Sequence, residues 1–293
     1  MFATIGFRTG PGRADWSICC ADEDWAQPYL VDTVWLDRQA QAGWADMWRY
    51  AAEHFRDQHI VVGYKLMVEP NAAAFHLGIY DPAVFYRDYA GSTYDWNSFF
   101  PAIIAAIREV DSQTPILVSA DDFSSIEWLP YVNLVTDERT LYYVDQYAPH
   151  AYTHQDASAI FSYPGTFDTD FDGDSEVFDL AWLEDHLNGI DAFMAQTGEH
   201  VAVEEFGVHR WSPGAVNYLS DEMALFEARN LNYAIWEWTS SWKEYSVEVN
   251  DFNVKFGTDS ENVNEMDNEL LAVLISYWAR NTLRPSMVSW EKE

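Results

Sequence analysis

Two kinds of block alternate along this chain. Short apolar runs rich in β-branched residues occupy Phe2–Phe7, Ile60–Val68, Pro115–Ser119, Leu141–Ala148, Val201–Val203 and Asn232–Trp238. Runs of this kind, bounded by turn residues, predict strands covered on both faces, as in a parallel sheet. Between them lie longer segments whose apolar residues recur at helical spacing. Gly43–Gln58 places Trp44, Met47, Trp48, Ala51, Ala52 and Phe55 on one face, and Trp96–Val110 does the same with Phe99, Phe100, Ile103, Ile104 and Ile107. Asp179–Gln196, Pro213–Asn230 and Glu269–Arg280 read as three more helices. Strand and helix alternate at intervals of roughly 40 residues, which predicts consecutive βα units in an α/β fold. Six units are legible. No linker or change of composition divides residues 1–293, so a single domain is expected.

Two strands end in the same way. Ile60-Val-Val-Gly-Tyr-Lys-Leu-Met-Val-Glu69 stops at a carboxylate followed by Pro70, which has no amide hydrogen to continue a ladder. Val201-Ala-Val-Glu-Glu-Phe-Gly207 stops at a pair of glutamates and a glycine. One such glutamate is as readily a solvated strand-end charge as a functional group. Two at the carboxyl ends of buried parallel strands form a glycosidase-like pair. Side chains alternate along a strand, so only one of Glu204 and Glu205 points into a site.

Composition narrows the field. The chain is 48% hydrophobic and 22% charged, with 16 basic against 48 acidic residues and a net charge of −32. That balance disfavours nucleic acid and anionic membranes as partners and leaves neutral polymers such as polysaccharides open. Fourteen tryptophans supply rings for a core and for stacking on sugars. Cys19 and Cys20 are adjacent, a poor geometry for a bridge, so no stabilising disulfide is expected. No apolar run approaches membrane-spanning length, and Phe2–Phe7 is too short and lacks a basic lead, so no signal peptide is expected in it.

In its ordered motifs the chain resembles the family 5 glycoside hydrolases, the cellulases and their relatives. The matching residues are Glu69-Pro70, His150-Ala-Tyr152, Glu205-Phe-Gly207 and Trp236. The resemblance implies a TIM-type (β/α) barrel, incomplete, with about six of the eight units in this chain. It implies retaining hydrolysis by double displacement, with Glu69 as acid/base and Glu205, directly before Phe-Gly, as nucleophile. His150 and Tyr152, alternating at the end of their strand, match positions that contact the sugar and the nucleophile. Trp236 matches the ring that floors the cleavage subsite; Trp238 shares its parity, and Arg8 is a further polar contact. The substrate implied is β-1,4-glucan, with β-mannan, xyloglucan and mixed-linkage glucan as neighbours. No cofactor or catalytic metal is implied, and a polymer substrate suits a secreted enzyme.

Two departures bear on this reading. The family carries Asn just before its acid/base glutamate, and here that position is Val68. The first two barrel strands are also missing from the pattern, which leaves apolar edges at Phe2–Phe7 and Asn232–Trp238 and predicts a homodimer. Both departures favour the rival reading, a carbohydrate-binding protein with impaired catalysis. Separately, Asp168-Thr-Asp-Phe-Asp-Gly-Asp-Ser-Glu-Val-Phe-Asp179 approximates a calcium loop, with carboxylates at positions one, three, five and twelve and glycine at six. A solvated acidic loop is the competing interpretation.

Overall fold

A computed structural model of the chain describes residues 2–14, 24, 31–158, 160–238 and 250–282; Cys19 and Cys20 lie outside them. The strands are β1 (Ala3–Gly6), β2 (Val61–Lys65), β3 (Ile116–Val118), β4 (Thr140–Gln146), β5 (Gly165–Phe167), β6 (Glu176–Phe178), β7 (Val201–Phe206) and β8 (Asn232–Ile235). Six of them form one sheet in the order β1-β2-β3-β4-β7-β8. The β1–β2, β2–β3, β3–β4 and β7–β8 pairings are all parallel. Strand order that follows chain order, with no switch point, is the winding of a TIM-type (β/α) barrel rather than of a doubly wound sheet. The fold is an incomplete barrel of six such strands.

The helices are α1 (Arg38–Phe55), α2 (Ala72–Leu77), α3 (Pro82–Tyr89), α4 (Trp96–Arg108), α5 (His150–Thr153), α6 (Leu180–Thr197), α7 (Ala215–Ala228) and α8 (Glu269–Trp278). Among the described residues no helix is long and apolar enough to cross a membrane. Part of the acidic surplus works locally. Asp37, Asp81, Asp95 and Asp179 each cap a helix by accepting backbone N–H bonds in its first turn. The Asp37 cap also explains why α1 begins five residues before the predicted Gly43: the polar Arg38–Gln39 start carries no apolar periodicity.

The chain divides into two compact units, one running to Tyr143 and one from Val144 to Thr282. In the first, α1 buries Trp44, Trp48, Ala51 and Ala52, and α4 buries Trp96, Phe99, Phe100, Ile103 and Ile107. Side chains of this size are worth about 1.5–3 kcal/mol each when removed from water. In the second, α6 contributes Leu183, Leu187, Ile190 and Phe193, and α7 contributes Tyr218, Leu219, Met223 and Phe226.

Two predicted elements change form. The strand expected to reach Glu69 ends at Lys65. Beyond it, successive carbonyls leave the ladder for side-chain donors. Leu66 O accepts the indole N–H groups of Trp44 (3.1 Å) and Trp48 (2.7 Å). Met67 O accepts the Tyr143 hydroxyl at 2.6 Å. Val68 O and Glu69 O accept the two Nη groups of buried Arg13, at 2.6 and 2.8 Å. Likewise, the strand expected over Leu141–Ala148 stops at Gln146, and His150–Thr153 is a single helical turn entered from Pro149. His150 and Tyr152 therefore do not alternate along a strand.

Candidate active site

In the first unit the site is built around Glu69. This residue sits in the left-handed region, with φ at +48°. Such a conformation is uncommon for a residue with a Cβ and persists where its surroundings hold it. Arg13 grips the successive carbonyls of Val68 and Glu69. Arg8, just past β1, donates from Nη2 to Glu69 Oε2 at 2.7 Å. Its place is thus on the carboxylate of Glu69, where a guanidinium favours the charged form. Val68 is buried, and its side chain offers no hydrogen bond.

In the second unit the site is built around Glu205, near the end of β7. Glu205 is 7% exposed, whereas Glu204 is half-buried, as alternation along a strand requires. Tyr147 donates its hydroxyl to Glu205 Oε2 at 3.2 Å. Carboxylate oxygens of Asp145 and Glu205 lie within 4.8 Å of each other. Asp145 and Tyr147 share parity at the end of β4, so both side chains turn the same way. Gly207 is dictated by a close approach: a Cβ there would fall 2.3 Å from the Trp236 carbonyl oxygen.

The tyrosine on the carboxylate corrects the sequence expectation. Tyr152 is fully buried, and its hydroxyl donates to Pro213 O at 3.1 Å. It packs among Tyr163, Phe178 and Tyr218 as part of the core. Tyr147 stands in its place because the strand ends one residue before it and the helical turn at Pro149 redirects everything after. His150 stacks on His154 with ring centroids 3.8 Å apart, and His154 lies edge-on to Tyr147 at 5.1 Å. Burial holds the His154 imidazole well below its usual range, so it is neutral near pH 7. Trp236 follows β8 and is half-buried, and Trp238 is 42% exposed, edge-on to Trp278 and 4.9 Å from Lys255 Nζ.

A buried carboxyl supports the end of β4. Gln146 Nε2 donates to Glu222 Oε1 at 3.1 Å, and His186 Nε2 lies 3.1 Å from Gln146 Oε1. Burial pushes the fully buried Glu222 carboxyl from its ordinary 4.5 up to about 8. The folded state therefore binds a proton that the unfolded chain releases between those values. This contribution to stability is complete below pH 4.5 and is lost as pH rises through 8. Glu222→Gln keeps an acceptor for Gln146 and removes the titration. The melting temperature of the wild type, measured against that variant, is expected to fall steadily from pH 5 to pH 8; parallel curves count against the assignment.

The acidic loop is a two-stranded antiparallel hairpin of β5 and β6, not an ion loop between helices. Oxygens of Asp168, Asp170 and Glu176 lie within 4.8 Å of one another. Asp179, expected as the twelfth ligand, caps α6 instead. Glu176, which sequence spacing did not nominate, takes the Thr169 N–H and hydroxyl, and these hold its carboxyl below the usual range.

Residues 23–241 match the family model described as cellulase, glycosyl hydrolase family 5. Endoglucanase C of Acetivibrio thermocellus is 23% identical over 134 residues, which make up 45% of this chain and 33% of that enzyme. The chain thus spans about a third of the length of the curated relatives it matches. Among solved structures, endoglucanase Cel5A of Thermotoga maritima superposes with a TM-score of 0.60 at 16% identity, over 81% of this chain and 67% of that one. A structure described as a glycoside hydrolase superposes with a TM-score of 0.66 at 18% identity, over 94% of this chain and 76% of its own. At these identities the superpositions establish the barrel fold, while the family match extends over most of the sequence and takes in both glutamate-bearing strand ends. The chain belongs to the cellulase family, glycosyl hydrolase family 5.

Proposed function

We propose that this protein is a retaining β-glycoside hydrolase acting on β-1,4-glucan outside the cell, with Glu205 as nucleophile and Glu69 as acid/base. One observation carries the reading: each strand-end glutamate of a family 5 chain is held by a dedicated donor, Arg8 on Glu69 and Tyr147 on Glu205. In the first step Glu205 attacks the anomeric carbon and forms a glycosyl ester. Glu69 gives its proton to the departing oxygen. In the second step Glu69 takes a proton from water, and that water opens the ester with net retention. The Tyr147 hydroxyl fixes the attacking oxygen of Glu205.

The test is sugar release from carboxymethylcellulose, mannan, xyloglucan and mixed-linkage glucan, with the anomer of the first product followed by NMR. Glucan cleavage with β-product first is the expected result. The α-anomer appearing first ends the double-displacement mechanism, and cleavage confined to mannan moves the substrate. The Arg8–Glu69 pair favours the rival reading, because a guanidinium at 2.7 Å opposes protonation of a general acid. Under that reading the glucan retards the protein in affinity electrophoresis while no reducing ends form.

A calcium ion is proposed at Asp168, Asp170 and Glu176, as a structural ion only. Calorimetry after chelation is expected to show binding heat in the wild type and none in Glu176→Gln. No heat in the wild type removes calcium.

A further inference from the structure

We propose that the loop leaving β3 is a clamp for the Glu69–Pro70 turn, and that Asp121 is a positioning residue for Glu69. The inference rests on Glu69 being the acid/base group.

The turn after Glu69 is hard to hold. Pro70 has no N–H, so its carbonyl is its only backbone handle. Asn71 follows as the N-cap residue of α2, yet its side chain makes no cap bond. Both gaps are filled by one loop. Phe123 N–H donates to Pro70 O at 2.9 Å. The fully buried Asp121 carboxylate accepts Ala73 N–H through Oδ2 at 3.3 Å, which supplies the missing cap from 48 residues away. Its other oxygen, Oδ1, accepts Asp122 N–H at 2.7 Å and so ties the loop to itself.

The loop adopts a costly form to do this. Asp122, Phe123 and Ser124 all lie in the left-handed region, at φ of +56°, +56° and +62°. None is glycine, and three in succession are sustained only by surroundings that over-determine them. Here those surroundings are the two grips on the Pro70–Ala73 segment. Glu69, at φ +48°, enters that segment from the other side. Arg13 holds Glu69 through its own carbonyl, and the Asp121 loop holds Pro70 and Ala73 beyond it. The carboxyl of Glu69 is thereby aimed by two independent supports.

Asp121→Asn separates this role from mere stability. The amide is uncharged, so burial no longer penalises it, and the variant is expected to fold. It can accept one of the two N–H bonds but presents NH2 to the other. A misaimed general acid slows the departure of a poor leaving group and matters little for a good one. The expected result is a kcat/KM on phenyl β-cellobioside about 10-fold below wild type. The kcat/KM on 2,4-dinitrophenyl β-cellobioside is expected to stay within about twofold, because that ratio reports only the ester-forming step and its good leaving group needs little proton donation. Equal losses on both substrates, or no loss on either, overturn the proposal. Glu69→Gln is measured beside it and should show the same contrast more strongly. If Glu69→Gln lowers kcat/KM on both substrates equally, Glu69 is not the acid and the clamp has no catalytic object. Asp121→Ser, which buries neither carboxyl nor amide, is assayed in the same way should the asparagine variant not accumulate.

Discussion

Glu205→Ala is expected to lower turnover of an aryl β-cellobioside by on the order of 10^3-fold or more, and added azide to restore it with the α-glycosyl azide as product. The ester step needs a carboxylate at that position, and the methyl of alanine leaves room for a small anion to attack the same face of the sugar. Glu69→Ala gives the opposite stereochemistry. There the ester still forms from a substrate with a good leaving group, and azide opens it from the other face, so the β-azide accumulates. The fold should tolerate the change at Glu205. The removed carboxyl lies within 4.8 Å of Asp145, so the repulsion of a like-charge neighbour is relieved. Tyr147 loses one acceptor at 3.2 Å, a net cost of about 0.5–1.5 kcal/mol. Azide rescue of Glu204→Ala, with Glu205→Ala inert to azide, reverses the assignment of the nucleophile.

The second large effect is on stability. Arg210 is fully buried and serves as a hub for backbone carbonyls. Its Nε donates to Asn250 O at 2.7 Å, its Nη1 to Gly257 O at 2.8 Å and to Asp259 O, and its Nη2 to Ser260 O at 3.0 Å. Its own backbone N–H donates to Asp251 O at 2.9 Å. The guanidinium also lies 5.4 Å from the Trp211 ring and 5.7 Å from the Phe256 ring. Arg210→Met keeps the length of the side chain and leaves four carbonyls without their donor. Each buried orphan costs about 1–3 kcal/mol, so a total loss of about 3–5 kcal/mol is expected after partial rehydration. Urea denaturation of wild type and variant measures it. Arg210→Lys should recover little, because a single ammonium cannot reproduce the planar fork. A variant within about 0.5 kcal/mol of wild type refutes the hub.

Activity should fall with that hub as well, for a local reason. Phe252 belongs to the segment Arg210 holds, and it packs against Tyr147 at 5.9 Å, His154 at 5.1 Å and His209 at 4.6 Å. Loosening the segment loosens the ring that sits against the hydroxyl donor of Glu205.

Much of this molecule was legible from local pattern. The six strands, the long helices and the glutamate near the end of β7 follow from runs and periodicities a few residues wide. Trp44, Trp48, Phe99 and Ile103 are buried where their spacing puts them. Arg8, expected as a polar contact to the sugar, donates to Glu69. The misses share a physical origin. Arg13, Tyr147 and Asp121 act on partners distant in the chain, and no local pattern marks a buried arginine or aspartate as a backbone ligand. Tyr152 was expected near the carboxylate because it was taken to alternate with His150 at a strand end, whereas the strand stops at Gln146 and a turn of helix follows Pro149.

The order of residues by itself determined the kinds of element, their succession and the two carboxylates that follow apolar runs, because alternation, helical periodicity and proline act over a few bonds. Only the tertiary structure decided how those carboxylates are held. The carbonyls of Leu66 to Glu69 find donors 18 to 76 positions away, and such donors exist at those places only once the chain has folded. A backbone group leaving a ladder must be satisfied by whatever the fold brings beside it, and the sequence around it carries no mark of what that is.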